Sequence, residues 1–152
     1  MSVHRVTSKI DFQQALTHIR VNNDYDFAGI ALPSQDGEQT VIKWQYASGN
    51  INTRYQRIVL RNGRGIAGTV MRVGKRMIIH DIQTEVDEVE RIHYPIVISE
   101  QLTAIVAIPL WHHTSVEGVL LLGQRQGRPL TGEAPHYHLD AGVLGVYTDE
   151  SK

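Results

Sequence analysis

The sequence predicts an α+β fold, and three observations lead to this prediction. Short apolar or alternating segments occur in pairs separated by tight turns, which is typical of antiparallel β-hairpins. An amphipathic segment with helical spacing lies near each end of the sequence. The length of 152 residues is enough for one domain with a buried core. We therefore expect a single domain over residues 1–152, with the N- and C-terminal helices on one face of an antiparallel sheet.

A helix and a hairpin are predicted at the start of the chain. Ser8 and Asp11 resemble a capping box, and the apolar spacing after them predicts a helix from Ser8 to about Val21. An apolar strand from Phe27 to Leu32 is expected to end at Pro33, before a tight turn. The next strand alternates, so that three large side chains share one face and point inward: Ile42, Trp44 and Tyr46.

The rest of the chain is predicted to contain four strands and two helices. The strands are expected at Tyr55 to Leu60, Arg76 to His80, Ala104 to Trp111 and Val116 to Leu122. The helices are expected at Ile66 to Val73 and at Thr131 to about Tyr147. The acidic stretch from Glu85 to Glu90 is expected to form a solvated loop or a helical turn. Pro95 favours an extended backbone at Tyr94.

Composition excludes several classes of function. The formal net charge is −1, and the absence of a Lys/Arg block argues against a nucleic-acid partner or an anionic membrane surface. No apolar run approaches about 18 residues and no signal-peptide core is present, so we expect a cytoplasmic protein without a membrane span. The chain has no cysteine, which excludes disulfides, thiolate metal sites and cysteine nucleophiles.

A glycine-rich loop between a predicted strand and a predicted helix is the main candidate for a binding element. Gly63, Gly65 and Gly68 allow the backbone to turn sharply and to bring N–H groups close to a ligand. The first turn of the helix after it leaves N–H groups without internal partners, at the positive end of the helix dipole. Spacing alone favours the simpler interpretation, in which Gly63 and Gly65 only make a tight turn. The loop therefore predicts either a small anion site or a turn alone.

Taken in order, these segments resemble the GAF domain family. The resemblance rests on the glycine loop after a strand and on three further segments: Lys75 to Asp81, Ser99 to Leu102 leading into Ala107 to Leu110, and Gly118 to Gly123. It covers nearly the whole chain. It implies a GAF-like antiparallel sheet with a ligand pocket on the face opposite the terminal helices.

Three other segments resemble the free-standing GAF proteins that act as cytosolic nitrate receptors: Phe27 to Leu32, Lys43 to Asn50 and Tyr94 to Glu100. In those receptors backbone N–H groups hold nitrate in a small pocket walled by aromatic and aliphatic side chains. The positions of this chain that match the pocket are Trp44, Ile66, Ala67, Tyr94, Pro95 and Ile96. The resemblance implies nitrate as the ligand, no cofactor, and an oxygen-responsive sensor histidine kinase of nitrate respiration as the partner.

The chemistry of these residues agrees with an anion site. Burying an anion is costly unless hydrogen bonds and positive potential replace its hydration. A helix N-terminus at Ile66 and Ala67 supplies both. Trp44 offers a flat wall and an indole N–H, and Tyr94 offers a wall and a hydroxyl. Each residue alone is also typical of ordinary core packing, and it is their joint match that favours a pocket.

The same residues also bear on other ligands. Gly63, Gly65 and Gly68 also match the dinucleotide fingerprint, with Asp81 beyond a second strand. However, Arg57 and Arg61 lie in the preceding segment, whereas the first strand of a dinucleotide fold is continuously apolar. The Asn-Lys…Phe…Asp-Glu signature of cyclic-nucleotide-binding GAF domains is absent, and GAF-fold methionine sulfoxide reductases require cysteines.

No metal site or catalytic centre is predicted. The rings of His112 and His113 are expected to diverge on extended backbone, and His136 and His138 to lie on opposite sides of a helix. No pattern places a nucleophile, a base and an orienting group together, so the chain is not predicted to be an enzyme. The alternative to the nitrate receptor is a GAF module that binds another small metabolite or serves as a dimerisation unit, which implies a homodimer.

Overall fold

A six-stranded antiparallel sheet forms the centre of the computed structural model, which describes residues 10–131, 137–140 and 142–150. The strands are β1 Phe27–Asp36, β2 Gln39–Ser48, β3 Val59–Leu60, β4 Met77–Ile79, β5 Leu102–His112 and β6 Ser115–Arg125. Their spatial order is β3-β2-β1-β6-β5-β4, and every neighbouring pair is antiparallel. Pairing of β1 with β6 joins the two long hairpins at the middle of the sheet. The α+β prediction is confirmed.

Helices cover both faces of this sheet. They are α1 Phe12–Asn22, α2 Gly65–Val73, α3 Ile82–Glu85, α4 Glu88–Arg91 and α5 Pro95–Glu100. One buried cluster, here called the α1-side cluster, contains Leu16 and Ile19 of α1. The other, the α2-side cluster, contains apolar residues of α2, α3 and α5. Alternate residues of β6 divide between the two clusters, as the pleat of a strand requires. No helix of the described residues is long and apolar enough to cross a bilayer.

The first helix begins later than predicted. Its N-cap is Asp11, whose carboxylate accepts a hydrogen bond from the Gln14 N–H at 3.0 Å. Asp11 therefore starts the helix itself, rather than completing a capping box that begins at Ser8. Ser8 lies outside the described residues.

The first hairpin differs from its prediction in two respects. β1 continues through Pro33, because β6 pairs with β1 only as far as Ala31 and leaves that side of the strand open to a proline. In β2 a bulge falls between Trp44 and Tyr46, which face Ala31 and Ile30 respectively. The extra residue reverses the alternation, so Trp44 enters the α2-side cluster whereas Tyr46 packs on the α1-side cluster.

The predicted strand from Tyr55 to Leu60 is mostly absent. Residues Arg54–Arg57 form a 3₁₀ turn, and only Val59 and Leu60 pair with β2. Two local hydrogen bonds close the turn: Gln56 N–H donates to the Thr53 carbonyl at 3.1 Å, and Ile58 N–H to the Tyr55 carbonyl at 3.2 Å. These local bonds compete with strand pairing in this segment.

The predicted C-terminal helix is wrong for the residues that the structure describes. Residues 137–140 and 142–150 form turns and isolated bridges, while 132–136 and 141 lie outside the described part. Thr148 pairs with Trp111 through two backbone hydrogen bonds of 2.7 and 2.9 Å, which hold the segment against β5. Leu139 and Leu144 are nevertheless fully buried in the α1-side cluster, so an irregular segment covers the face predicted for a helix.

The central elements agree more closely with the sequence. The helix predicted at Ile66 to Val73 is α2, which ends at Gly74 in a left-handed conformation with φ of 75°. The acidic stretch forms the single helical turns α3 and α4. β5 and β6 form the expected hairpin, and Pro109 lies beyond the three residues of β5 that pair with β4.

Candidate anion-binding site

The glycine loop is a compact turn that positions the start of α2. Gly63 N–H donates to the Gly68 carbonyl at 3.0 Å, and Arg64 N–H donates to the Arg61 carbonyl at 2.9 Å. Gly65 has φ of +67°, which strains any residue with a side chain. A Cβ atom at Gly68 would lie only 2.6 Å from the Arg61 carbonyl oxygen. The glycines are therefore required by the turn itself, whatever it binds.

The N-terminus of α2 is buried but uncapped by a side chain. Arg64 is the N-cap residue, and within the described residues no side-chain hydrogen bond caps this helix. Ile66 is 1% exposed and Ala67 is fully buried. The N–H groups of a first helical turn have no intrahelical acceptor and lie at the positive end of the helix dipole. These donors therefore suit an acceptor that carries negative charge.

The start of α5 approaches the start of α2. Tyr94 is the N-cap residue of α5, with φ of −117° and ψ of 67°, and Pro95 opens the helix. Val97 N–H donates to the Tyr94 carbonyl at 3.0 Å. A cleft of about 390 Å³ separates the two helix starts. It is lined by Leu60, Gly63, Arg64, Gly65, Thr69, Glu90, Ile92, His93, Tyr94 and Pro95.

Trp44 brings an unsatisfied hydrogen-bond donor into the adjoining core. Its side chain is 3% exposed, and its indole Nε1 is buried without a hydrogen-bond partner among the described residues. Gly29 on β1 makes room for the ring, since a Cβ there would lie 3.2 Å from Trp44 Cε3. A buried donor without a partner costs about 1–3 kcal/mol. The indole N–H is therefore available to a ligand that enters this core.

Five of the six residues predicted for the site lie at these two helix starts, and the sixth, Trp44, lies on β2. Trp44, Ile66, Ala67 and Ile96 are buried members of the α2-side cluster, and Tyr94 packs against that cluster. Only Tyr94 and Pro95 line the open cleft. Leu60 belongs both to the cleft wall and to the cluster, so the cleft adjoins the cluster, whereas Trp44 lines a separate recess beside Ser34 and Lys43.

The charges around the cleft have both signs. Arg64 and Glu90 are exposed on its walls, together with His93. Burial, and then the negative charge of Glu90, raise the pKa of Tyr94 above its ordinary value. The Tyr94 hydroxyl thus remains protonated at neutral pH and can donate a hydrogen bond. Sequence reasoning missed Leu60, Thr69, Glu90 and His93 because no spacing rule places them beside the glycine loop.

A family model supplies the classification. The model of the GAF domain matches residues 12–138. The chain belongs to the GAF domain family. None of the curated proteins compared with the sequence matches it significantly.

Solved structures add more specific likenesses to this GAF domain. Two structures of Staphylococcus aureus NreA mutated in its nitrate-binding site resemble it. The first has 51% sequence identity and a TM-score of 0.76. Its alignment covers 79% of this chain and 89% of the NreA chain. The second has 52% sequence identity and a TM-score of 0.76. Its alignment covers 78% of this chain and 86% of the NreA chain. A free methionine-R-sulfoxide reductase from Neisseria meningitidis shares the fold alone, at 15% identity and a TM-score of 0.59, over 86% and 74%.

The structure of the GAF domain also bears on the other ligands considered. A dinucleotide fold needs parallel strands around the glycine loop, whereas every strand pair described here is antiparallel.

The prediction that the rings of His112 and His113 diverge is wrong. Their centroids are 4.4 Å apart, because His113 adopts φ of 60° in the β5–β6 turn. Within the described residues, which exclude His136, no group of three or more potential metal ligands occurs.

Proposed function

We propose that this GAF domain is a cytoplasmic nitrate receptor that modulates a sensor histidine kinase in the control of nitrate respiration, and that it is not an enzyme. The observation that carries the proposal is the buried indole N–H of Trp44, which has no partner among the described residues and belongs to the same cluster as the start of α2. The identity of about half the aligned residues with NreA supports nitrate as the ligand.

The proposed site matches the chemistry of nitrate. Nitrate is small, planar and singly charged, and it accepts hydrogen bonds through three oxygen atoms. We assign its donors to the N–H groups of Ile66, Ala67 and Ile96 and to the indole of Trp44. Tyr94 and Pro95 close the site from the cleft. No buried cation is needed, because the positive end of α2 supplies potential along with the hydrogen bonds.

A larger ligand is the second candidate. The open cleft of about 390 Å³ falls in the usual range for small-molecule pockets, and it exceeds what nitrate requires. A small metabolite could therefore occupy the cleft and leave the indole of Trp44 unpaired. Nitrate titration separates the two candidates, because only the nitrate receptor binds nitrate and donates to it through this indole.

Signalling requires that nitrate and the kinase discriminate between the same conformations of the domain. We assign this role to residues 85–98, which join the acidic turns to Tyr94. Ligand-free domain is expected to restrain kinase autophosphorylation, and nitrate to relieve it. The test is autophosphorylation of the purified kinase with each form of the domain. Kinase binding should weaken nitrate affinity by the same factor by which nitrate weakens kinase binding.

The backbone donors of α2 can be tested by proline substitution. Ala67→Pro deletes one N–H of the first helical turn that has no intrahelical acceptor, and circular dichroism checks that α2 accommodates the proline, which also restricts Ile66. We expect nitrate affinity to fall by about tenfold. Ala67→Gly retains the N–H and serves as the matched control. Equal calorimetric affinities for the two variants, with normal circular dichroism, would remove this N–H from the site.

The charged walls of the cleft should have small and opposite effects. Arg64→Ala is expected to weaken nitrate binding, and Glu90→Gln to strengthen it, each by about 1.5- to 5-fold, because both side chains are solvent-exposed. Since the charge of Glu90 raises the pKa of Tyr94, Glu90→Gln should also lower that pKa in an ultraviolet titration. Loss of binding in Arg64→Ala would instead indicate a side-chain clamp.

A further inference from the structure

Two large aliphatic side chains project into solvent beside the cleft. Val89 is 76% exposed and Ile92 is 66% exposed, the highest values for large apolar side chains in the described part of the chain. They are three positions apart on α4 and its C-cap residue, which is helical, so they lie on the same side of one turn. Single exposed aliphatic residues are common, whereas contiguous exposed apolar surface marks interaction sites.

Carboxylates surround this pair. Asp87, Glu88 and Glu90 are exposed, and none of them forms a salt bridge within residues 10–131, 137–140 and 142–150. The cation of the same segment, Arg91, is directed inward. Its Nε donates to the Val86 carbonyl at 2.9 Å and its Nη2 to the Gln83 carbonyl at 2.9 Å. Within this segment the charges around the apolar pair are therefore negative, whereas Arg64 and His93 line the cleft beside Glu90 and Ile92.

The hydrogen bonds of Arg91 also fix the shape of this surface. They connect α4 to Gln83 within α3 and to Val86, the residue after α3, so the turn that carries Val89 is held against the domain. Glu90 and Arg91 N–H groups both donate to the Asp87 carbonyl at 3.0 Å. A partner would thus meet a preformed surface and would not have to order it on binding.

The same turn is continuous with the proposed nitrate site. Tyr94 N–H donates to the Arg91 carbonyl at 2.9 Å, and His93 N–H to the Glu90 carbonyl at 2.9 Å. Glu90 and Ile92 line the cleft together with Tyr94. A shift of Tyr94 on ligand binding would consequently move α4, which couples the surface to the site through direct contacts.

We propose that Asp87, Glu88, Val89 and Ile92, here called the acidic–apolar surface, dock a partner protein that presents an apolar patch ringed by lysine or arginine. An apolar centre with a charged rim is the usual construction of a protein interface. The negative rim selects a basic partner and speeds its association. This inference rests on the proposed function, because it assigns to the acidic–apolar surface the contact with the sensor histidine kinase.

The test measures binding of the purified sensor histidine kinase to the immobilised domain. Val89→Asp is expected to weaken binding by about tenfold or more, because it places a charge at the centre of the interface. Val21→Asp is the matched control, since Val21 is 59% exposed at the end of α1 on the other side of the sheet. The control should bind the kinase within about twofold of the wild type, and both variants should retain wild-type nitrate affinity.

A second variant tests the electrostatic part. Glu88→Lys should slow association with the kinase and reduce the sensitivity of the association rate to salt. Equal kinase binding by Val89→Asp and the wild type would overturn the proposal. So would a wild-type homodimer that Val89→Asp dissociates, since the surface would then join two copies. If the wild type binds nitrate but not the kinase, the surface proposal and the kinase step fail, whereas the receptor step stands.

Discussion

Trp44→Phe is expected to remove about half or more of the stabilisation that nitrate gives to the folded domain. Phenylalanine keeps an aromatic ring in the core but has no N–H to donate. A hydrogen bond to a charged acceptor contributes about 1.5–3 kcal/mol, so nitrate affinity should fall by about 10- to 150-fold. Nitrate at 100 times the wild-type Kd should stabilise the wild type by about 2.7 kcal/mol and the variant by only about 0.3–1.4 kcal/mol.

Without nitrate, the same substitution should have a smaller effect on the free energy of unfolding. It removes an unpaired buried donor, which offsets part of the packing lost with the larger ring. Trp111→Phe is the control, because Trp111 lies on β5 beside Gly74 and outside the proposed site. The chain has two tryptophans, so this control also isolates Trp44 fluorescence, which nitrate should quench. Equal stabilisation of wild type and Trp44→Phe by nitrate would exclude the indole as a ligand donor.

Glu100→Ala is expected to destabilise the domain by about 3–5 kcal/mol. Glu100 is fully buried at the end of α5, and its Oε1 accepts hydrogen bonds from Arg125 Nη2 at 2.5 Å and from Ile51 N–H at 2.9 Å. The Arg125 side chain is 16% exposed, so the substitution leaves a largely buried guanidinium without its carboxylate. Because α5 also carries Ile96, nitrate affinity should fall in the same variant.

The control for this prediction is an exposed ion pair of the same protein. The Asp24 side chain is 81% exposed, and its Oδ2 lies 3.0 Å from Arg128 Nη2. Asp24→Asn should leave the urea midpoint close to that of the wild type, because solvent screens the pair. Urea unfolding of both variants measures the difference. Similar small losses for Glu100→Ala and Asp24→Asn would show that α5 is not held by its buried carboxylate.

The sequence predicted those elements in which local pattern and tertiary contacts agree. In β5 and β6 a continuous apolar run coincides with burial on both faces, and in α2 the glycine loop and Gly74 mark both ends. In the C-terminal segment Leu139, Val143 and Tyr147 follow each other at helical spacing. However, the two backbone hydrogen bonds between Thr148 and Trp111 hold this segment in an irregular path. Pairing between residues distant in sequence has no local signature.

The candidate site shows the same division. Trp44 was predicted to point inward, and it is buried. Tyr46 was predicted on the same face, but the bulge after Trp44 sends it to the other cluster, and no residue type marks that bulge. The cleft wall from Glu90 to His93 depends on how α4 folds back beside the glycine loop. That six matched residues bind nitrate stays a prediction.

Calorimetric titration of the purified domain with nitrate tests the central claim most directly. We predict one nitrate per chain, with no comparable heat from chloride, sulfate, nitrite or cyclic GMP. We also predict that binding is lost or greatly weakened in Trp44→Phe, while Trp111→Phe titrates like the wild type. Absence of nitrate binding to the folded wild-type domain, or binding of equal affinity to Trp44→Phe, would contradict the account.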